Sequence, residues 1–228
     1  MIPIRDNIPS STYPFVTVAI LSINVAVFLY QLTLGMEGVE LFIYKTAAIP
    51  LEITSRTDIG PSSLVPLPYT LLTAMFVHGG LLHVGGNMLF LWIFGDNVED
   101  RFGHILFLIF YIASGVAASL AHIALDPGST MPMVGASGAI AGVLGAYFLL
   151  FPRAQVNTLV ILPLFISMAR VPAILFLGLW FLFQIVNSGV SSTDGGGVAW
   201  FAHIGGFVAG VLAALIYKAF AALWQMAR

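Results

Sequence analysis

The stretch VGASGAIAGVLG (Val134–Gly145) decides the fold, because it is an uncharged, membrane-like run built mostly from small residues. Gly138, Gly142 and Gly145 follow a helical stripe, and small residues on such a stripe let two membrane helices approach closely. The stretch also holds one hydroxyl group, that of Ser137, near the start of the run. It therefore predicts a closely packed membrane helix with a polar group near one end.

The composition extends this prediction to the rest of the chain. Of 228 residues, 59% are hydrophobic and only 8% are charged, against roughly 25% charged residues in soluble domains. A transmembrane span needs about 20 apolar residues, so a chain of this length has room for about six spans. We therefore expect a single membrane domain over residues 1–228, surrounded by the lipid bilayer. The net charge of −2 predicts no nucleic-acid partner.

Six runs with few or no charges are the predicted transmembrane helices of this all-α polytopic membrane protein. They cover residues 13–34, 81–98, 104–124, 135–151, 172–187 and 199–217. The connection over residues 35–70 is predicted to be a long outer loop; its Leu41–Tyr44 patch indicates a segment on the membrane surface, and a plain linker is the alternative. The Ser/Gly-rich outer loop 188–198 is predicted to be mobile.

The apolar run Thr158–Ala169 is not counted as a span. Pro163 interrupts it, and its length is that of a re-entrant or interfacial segment. Six spans place both termini on one side, and of the eight Lys and Arg residues only Lys45 and Arg56 then fall on the other side. The positive-inside rule therefore predicts cytoplasmic termini. A plasma membrane, in the simplest case a bacterial inner membrane, is the expected location.

Polar side chains near the outer ends of three spans are the candidate functional residues. Spans two, four and six all enter from the outer side; their first turns carry His83, Asn87, Ser137 and His203. His83 and Asn87 are four residues apart, so they lie on one helical face. Taken singly, each residue is more simply explained by packing or by hydrogen bonding between helices. Together they predict a nucleophile, a base and two hydrogen-bond donors at one depth, where polar groups indicate function by default.

Other hydrolase classes fit the sequence less well. The metalloprotease motif His-Glu-x-x-His is absent, and there is no cysteine to supply a thiolate. Asp96 is the only carboxylate in a predicted span, whereas an aspartyl protease needs two. A Ser-Lys hydrolase is disfavoured because Lys45 and Lys218 lie outside the predicted spans. We predict no cofactor and no metal. A small channel or transporter that uses His and Asn near the outer face is an alternative.

Three motifs of the chain resemble those of the rhomboid intramembrane serine proteases. They are HGGLLHVGGNM (His78–Met88), the Gly-Ala-Ser-Gly run (Gly135–Gly138) and AHIGGFVAG (Ala202–Gly210). The segment GDNVEDRFG (Gly95–Gly103) is similar too, and the resemblance covers about residues 70–215. Each motif is weak alone, whereas the three in this order are highly specific.

The resemblance implies a rhomboid-like bundle and a serine endopeptidase that cleaves single-span membrane proteins near the outer face. It makes Ser137 the nucleophile and His203 the base, which together form a Ser-His dyad, and it assigns His83 and Asn87 to the oxyanion hole. The loop 188–198 is then a candidate cap that moves to admit the substrate. A noncatalytic rhomboid-like protein that binds membrane helices is the alternative.

The chain departs from the family pattern at two places. Tyr69–Thr70 stands where many members carry a Trp-Arg pair, and Ala141 stands where some carry an aromatic residue packed on the histidine. No carboxylate in the predicted spans lies at a depth that would complete a triad with Ser137 and His203. The sequence therefore identifies no residue that orients His203, and it specifies neither the oligomeric state nor the particular substrate.

Overall fold

Long apolar helices make up most of the structure, a computed structural model that describes residues 1–162, 165–190 and 199–226. The loop predicted to be mobile, 188–198, lies outside these residues beyond Val190. The helices of the described part are α1 (Phe15–Leu32), α2 (Gly35–Thr46), α3 (Pro50–Ser55), α4 (Thr70–Thr73), α5 (Leu81–Phe102), α6 (His104–Leu125), α7 (Ser137–Leu150), α8 (Ala173–Val190) and α9 (Trp200–Met226).

Three of these helices, α1, α6 and α9, are long and apolar enough to cross a membrane. The segment Leu67–Phe76 and α5 form a pair bent by 82°, which would supply a fourth crossing if the pair is one span. Helices α7 and α8 are apolar but shorter. The chain is thus a polytopic helical membrane bundle. A helix occupies each of the six predicted runs, and six complete crossings stay a prediction.

The prediction of an all-α fold is wrong at the end of the bundle where α7 finishes. There β1 (Ile2–Arg5), β2 (Gln155–Leu162) and β3 (Phe165–Pro172) form an antiparallel sheet in the order β1-β2-β3. The run Thr158–Ala169, interpreted from the sequence as a re-entrant or interfacial segment, is most of the hairpin formed by β2 and β3.

Two features explain why this run forms strands. Residues 155–162 are rich in β-branched side chains, which favour strands. The N-terminal strand then pairs with one edge of the hairpin, with Ile2 opposite Leu159 and Pro3 opposite Thr158. A two-stranded hairpin alone is marginally stable in water. The partner strand lies at the far end of the sequence, so local periodicity does not indicate it.

The connection predicted as a long loop over 35–70 contains two helices, α2 and α3, and it is packed against the segment that precedes α7. Ala48 and Met133 exchange two backbone hydrogen bonds of 2.9 and 3.1 Å. The Leu51 N–H donates to the Ser129 carbonyl at 3.0 Å. Pro50 occupies the first turn of α3, where its missing N–H costs no helical hydrogen bond. The connection therefore supports the backbone that leads to Ser137.

Helix α7 lies at the centre of the bundle, where every residue from 139 to 147 is buried. Its backbone touches that of α9 at glycines. A Cβ added to Gly206 would lie 2.1 Å from the Gly138 carbonyl oxygen, and one added to Gly210 would lie 1.8 Å from the Gly142 carbonyl oxygen. The predicted close approach of two helices along the glycine stripe is confirmed, and it brings the first turns of α7 and α9 together.

Candidate active site

Ser137 and His203 meet between α7 and α9. Ser137 is the first residue of α7, and His203 lies in the first turn of α9. The Ser137 Oγ atom is 2.8 Å from the His203 Nε2 atom, which is a hydrogen-bond distance. A long side chain on either helix at the glycine contact, for example at Gly206, would push this pair apart. An imidazole in this place can take the hydroxyl proton as the serine oxygen attacks an electrophile.

The other side of His203 faces α8. Its Nδ1 atom is 2.8 Å from Gln184 Oε1, and the Gln184 side chain is only 3% exposed. The Trp180 and Trp200 rings lie beside the imidazole, at 6.0 and 6.2 Å between ring centroids. These aromatic neighbours come from α8 and α9 rather than from position 141 of α7. Sequence reasoning missed Gln184, although an amide in an apolar run was a usable signal.

His83 and Asn87 lie one turn apart on α5 and approach the backbone just before Ser137. A Cβ added to Gly135 would lie 2.6 Å from His83 Nε2 and 3.5 Å from Asn87 Nδ2. His83 Nδ1 accepts a hydrogen bond from the Gly79 N–H at 3.4 Å, so Nε2 is the nitrogen that carries the proton of the neutral ring. Asn87 Nδ2 is buried and has no acceptor in the described part of the chain.

Gly135 makes this approach possible through its backbone conformation. Its φ of 116° lies in a region that side chains strongly disfavour. Its N–H donates to the Ala74 carbonyl at 2.8 Å, which fixes the turn. Any side chain here would collide with His83. The glycine therefore lets the α5 side chains reach the start of α7.

His78 supports the same turn, and sequence reasoning assigned it no role. It is 1% exposed, and its Nε2 accepts a hydrogen bond from the Ala136 N–H at 3.5 Å. Gln31 of α1 holds the His78 backbone: its Nε2 donates to the His78 carbonyl at 2.9 Å, and its Oε1 accepts from the His78 N–H at 3.1 Å. The backbone next to Ser137 is thus tied to α1 through a buried side chain.

A cavity of about 30 Å³ opens beside Ser137. Small residues from α6, α7, α9 and the segment before α7 form much of its wall, among them Gly115, Ser119, Gly135, Ala139 and Ala202. This volume holds one or two water molecules or a methyl-sized group. A side chain that enters it next to Ser137 must therefore be small. Among the described residues, no group of three or more His, Asp or Glu side chains is arranged to hold a metal ion.

All four predicted site residues therefore lie at one end of the bundle. The arrangement joins a hydroxyl bonded to an imidazole with two donors from α5. The first amides of a helix also lack acceptors within that helix. Acyl transfer requires a nucleophile with a base beside it and hydrogen-bond donors for a developing oxyanion, and this arrangement can supply these groups.

The sequence of the chain is similar to those of known proteins. The Rhomboid domain model matches residues 67–220. The chain is 36% identical over 146 residues to Rhomboid protease GluP of Bacillus subtilis (strain 168), which covers 64% of this chain and 25% of that protein. It is 31% identical over 221 residues to Rhomboid protein 1, mitochondrial, of Saccharomyces cerevisiae, which covers 91% of this chain and 56% of that protein.

A third relative is Rhomboid-related protein 2 of Mus musculus, 28% identical over 191 residues, or 80% of this chain and 62% of that protein. The chain thus spans less than two thirds of the length of each of these relatives. The family model covers α5, α7 and α9, the helices that carry the four site residues, and most of the chain as a whole. The chain is therefore an integral membrane protein of the rhomboid family.

Proposed function

We propose that the chain is an intramembrane serine endopeptidase with Ser137 as the nucleophile and His203 as the general base. The observation that carries the proposal is the 2.8 Å contact between Ser137 Oγ and His203 Nε2, made between two apolar helices. A serine hydroxyl is a weak nucleophile until a neighbouring base removes its proton. The Bacillus subtilis relative, which is named a rhomboid protease, supports the same class of reaction.

The reaction has two halves. Ser137 Oγ attacks the scissile carbonyl carbon while its proton passes to His203 Nε2, which gives a tetrahedral intermediate and an imidazolium. The imidazolium then protonates the leaving nitrogen, the C–N bond breaks, and an ester remains on Ser137. Water gives a proton to His203 as it attacks this ester, and collapse of the second intermediate releases the acid and restores both residues.

The oxyanion of each intermediate would be met by three donors: His83 Nε2–H, Asn87 Nδ2–H and the Ser137 backbone N–H. Two observations support this role. The His83 proton is assigned to Nε2 by the contact with Gly79, and the Asn87 amide has no acceptor among the described residues. A donor without an acceptor is free to bind developing charge. The loss of one such donor typically costs about 10² to 10³ in rate.

The proposal includes an orientation in the membrane. Six spans with cytoplasmic termini leave only two cations on the outer side, and the site then opens to the outer face, in the simplest case the periplasmic face of a bacterial inner membrane. Helix α7 has 14 residues and rises about 21 Å, less than the roughly 30 Å of a hydrocarbon core. Ser137 would thus lie below the outer surface, within reach of water.

The proposed substrates are single-span membrane proteins, cut near the outer end of the span. A helical substrate has its backbone groups bonded internally, so a segment must unwind before Ser137 reaches a carbonyl. Glycine and proline lower the cost of this unwinding. The cavity beside Ser137 favours a small side chain next to the scissile bond, because it holds only about 30 Å³.

The test compares the wild type with Ser137→Ala in liposomes that contain a single-span substrate with a Gly/Pro-rich outer segment. Gels and mass spectrometry follow the products. We expect cleavage by the wild type and a rate at least about 10⁴-fold lower for Ser137→Ala. The control is Ser22→Ala, which removes an exposed hydroxyl of α1 that donates to the Val18 carbonyl, and it should cut normally. Equal cleavage by Ser137→Ala would refute the proposal; substrate crosslinking without cleavage by the wild type would support the noncatalytic helix-binding alternative.

A further inference from the structure

Gln184 of α8 lies against the side of His203 that faces away from Ser137. The two ring nitrogens of His203 have separate partners, each at 2.8 Å: Ser137 Oγ at Nε2 and Gln184 Oε1 at Nδ1. Gln184 is almost completely buried. A buried amide in a membrane helix calls for a physical explanation, because polar groups are costly there.

The second contact of Gln184 determines which way its amide points. Its Nε2 atom is 3.2 Å from the Trp180 carbonyl oxygen, four residues earlier in α8. A carbonyl oxygen only accepts hydrogen bonds, so the NH₂ group faces Trp180 and the amide oxygen faces His203. An amide oxygen has no proton to donate. The His203 Nδ1 atom must therefore carry the hydrogen of this contact.

A single form of the imidazole satisfies both contacts. A neutral ring has one N–H, so a proton on Nδ1 leaves Nε2 with a lone pair that accepts the Ser137 hydroxyl. The other tautomer would set the Nδ1 lone pair against those of Gln184 Oε1 at 2.8 Å. It would also leave Nε2 unable to accept the serine proton.

We propose that Gln184 is a positioning residue that keeps the proton of His203 on Nδ1, so that Nε2 stays available as the base for Ser137. This inference rests on the proposed function. In a Ser-His-Asp triad a buried carboxylate has this task. The amide oxygen orients the ring in the same way without placing a negative charge inside a membrane bundle, where a charge is more costly than an amide.

The test uses two substitutions of Gln184 in the full chain. Gln184→Met keeps the length of the side chain and removes both hydrogen bonds, and Gln184→Glu keeps an acceptor oxygen opposite Nδ1. The matched control is Asn187→Leu, one turn further along α8. Asn187 Nδ2 makes the same type of bond to a carbonyl four residues earlier, that of Phe183, at 2.7 Å. The control therefore removes an equivalent amide that is only partly buried.

Two rates are measured as a function of pH: cleavage of the single-span substrate, and labelling of Ser137 by a fluorophosphonate. In labelling, Ser137 Oγ forms a bond to phosphorus, fluoride leaves and His203 takes the serine proton. This readout needs no substrate binding. The thermal midpoint of each variant in detergent reports folding. Among the residues that the structure describes, His83 and His122 are the other titratable groups that interact with His203, and they are the same in every variant.

We expect Gln184→Met to lower kcat and the labelling rate by about 10- to 100-fold, the range found for partners that orient metal-binding histidines, with KM close to the wild-type value. Gln184→Glu should recover rate relative to Gln184→Met and move the acidic limb of the pH profile to higher pH, because a carboxylate stabilises the protonated ring. Asn187→Leu should match the wild type in both rates.

The inference is overturned if a folded Gln184→Met protein is labelled and cuts at wild-type rates across the pH range. It is also overturned if the losses only follow the thermal midpoint and Gln184→Glu leaves the pH profile unchanged, because a packing residue would behave in that way. A wild type that is neither labelled nor active is a different result: it refutes the proposed function itself, and the role of Gln184 falls with it.

Discussion

Two buried polar side chains of α5, Asn87 near one end and Glu99 near the other, differ in how far their hydrogen bonds are satisfied. At the end that carries the candidate site, Asn87 Nδ2 has no acceptor among the described residues. At the other end, both oxygens of the buried Glu99 carboxylate are used. Oε2 accepts from the Thr17 N–H and hydroxyl, both at 2.7 Å, while Oε1 accepts from the Val16 N–H at 2.9 Å and lies 2.6 Å from His104 Nδ1.

The unsatisfied amide of Asn87 indicates a role in function, whereas the satisfied carboxylate of Glu99 indicates a role in stability. A buried donor without an acceptor lowers the stability of the fold, and a role in catalysis or binding is one reason why such a group is retained. A saturated carboxylate has no capacity left for a ligand; it joins α1, α5 and α6 instead. We therefore expect a substitution of Asn87 to change the reaction rate and a substitution of Glu99 to change the free energy of unfolding.

Of the substitutions that test this comparison, Asn87→Leu has the largest expected effect, and that effect is on the cleavage rate. The substitution keeps the shape of the side chain and removes one proposed oxyanion donor, so we expect the rate to fall by about 10² to 10³. The thermal midpoint should stay the same or rise, because an unbonded buried donor is removed. Rate assays and thermal unfolding in detergent measure both quantities. A parallel loss of stability would show that Asn87 is an interhelical hydrogen-bonding residue instead.

Glu99→Gln should give the reverse pattern. The new NH₂ group faces donors, so we expect unfolding to become easier by about 3 kcal/mol, with little change in the rate per folded molecule. The matched control is Asp100→Asn, which changes a less buried carboxylate whose partners, Ser11 and Thr12, are exposed. Similar losses for the two variants would remove the distinction between a fully buried and a partly buried carboxylate.

Gly210→Ala tests the close contact between α7 and α9, which lies below the candidate site. The new Cβ would lie 1.8 Å from the Gly142 carbonyl oxygen, so α7 and α9 must separate. We expect a loss of about 1 to 3 kcal/mol in stability and a lower cleavage rate, because the Ser137–His203 contact depends on this approach. Gly86→Ala is the control: nothing lies within 4 Å of its added Cβ, and alanine favours the helix. Equal behaviour of both variants would contradict the packing argument.

The smallest expected effect is a pH dependence at the second end. Burial raises the pKa of Asp6, whose carboxylate accepts a hydrogen bond from the Tyr147 hydroxyl and faces Asp96. A carboxyl group with a raised pKa binds its proton more tightly in the folded state, so its contribution to stability is present at low pH and is lost as the pH rises through the folded pKa. Asp6→Asn should retain this contribution at neutral pH.

The measurement for Asp6 is the thermal midpoint of both proteins as the pH is lowered from about 7 towards the ordinary Asp range near 4. As the pH falls, the thermal midpoint of the wild type should rise relative to that of Asp6→Asn. Cleavage, normalised to folded protein, should stay equal for the two proteins at each pH. An advantage of the wild type that is largest at neutral pH would reverse the sign and contradict the argument.

Sequence periodicity was sufficient for the helices in the six apolar runs but not for α2 and α3, and it selected four candidate site residues that the structure brings to one end of the bundle. Ser137, His203, His83 and Asn87 stand out because each is polar in an apolar run, and alternation of the spans puts them at one end. The sheet was not predictable in this way. The β-branched residues of 155–162 are a local signal for a strand, but the pairing of this strand with Ile2–Arg5 is a non-local contact that leaves no local pattern.

Gln184 shows the same limit within the site. The sequence places an amide in an apolar run, but only the packing of α8 against α9 brings that amide to Nδ1 of His203. Glu99 is similar, since the sequence placed it in a charged cluster at a span end and gave no sign that Thr17 and His104 bind it.

The sequence by itself determined that the chain is a helical membrane protein, which family it belongs to, and where its polar residues interrupt apolar helices. These properties depend on composition and on spacing along one chain. The tertiary structure alone decided the 2.8 Å contact of Ser137 with His203, the partner at the far nitrogen of the ring, and the sheet that joins the N-terminus to β2. Hydrogen bonds depend on distances of a few tenths of an ångström between distant segments, and those distances follow from packing.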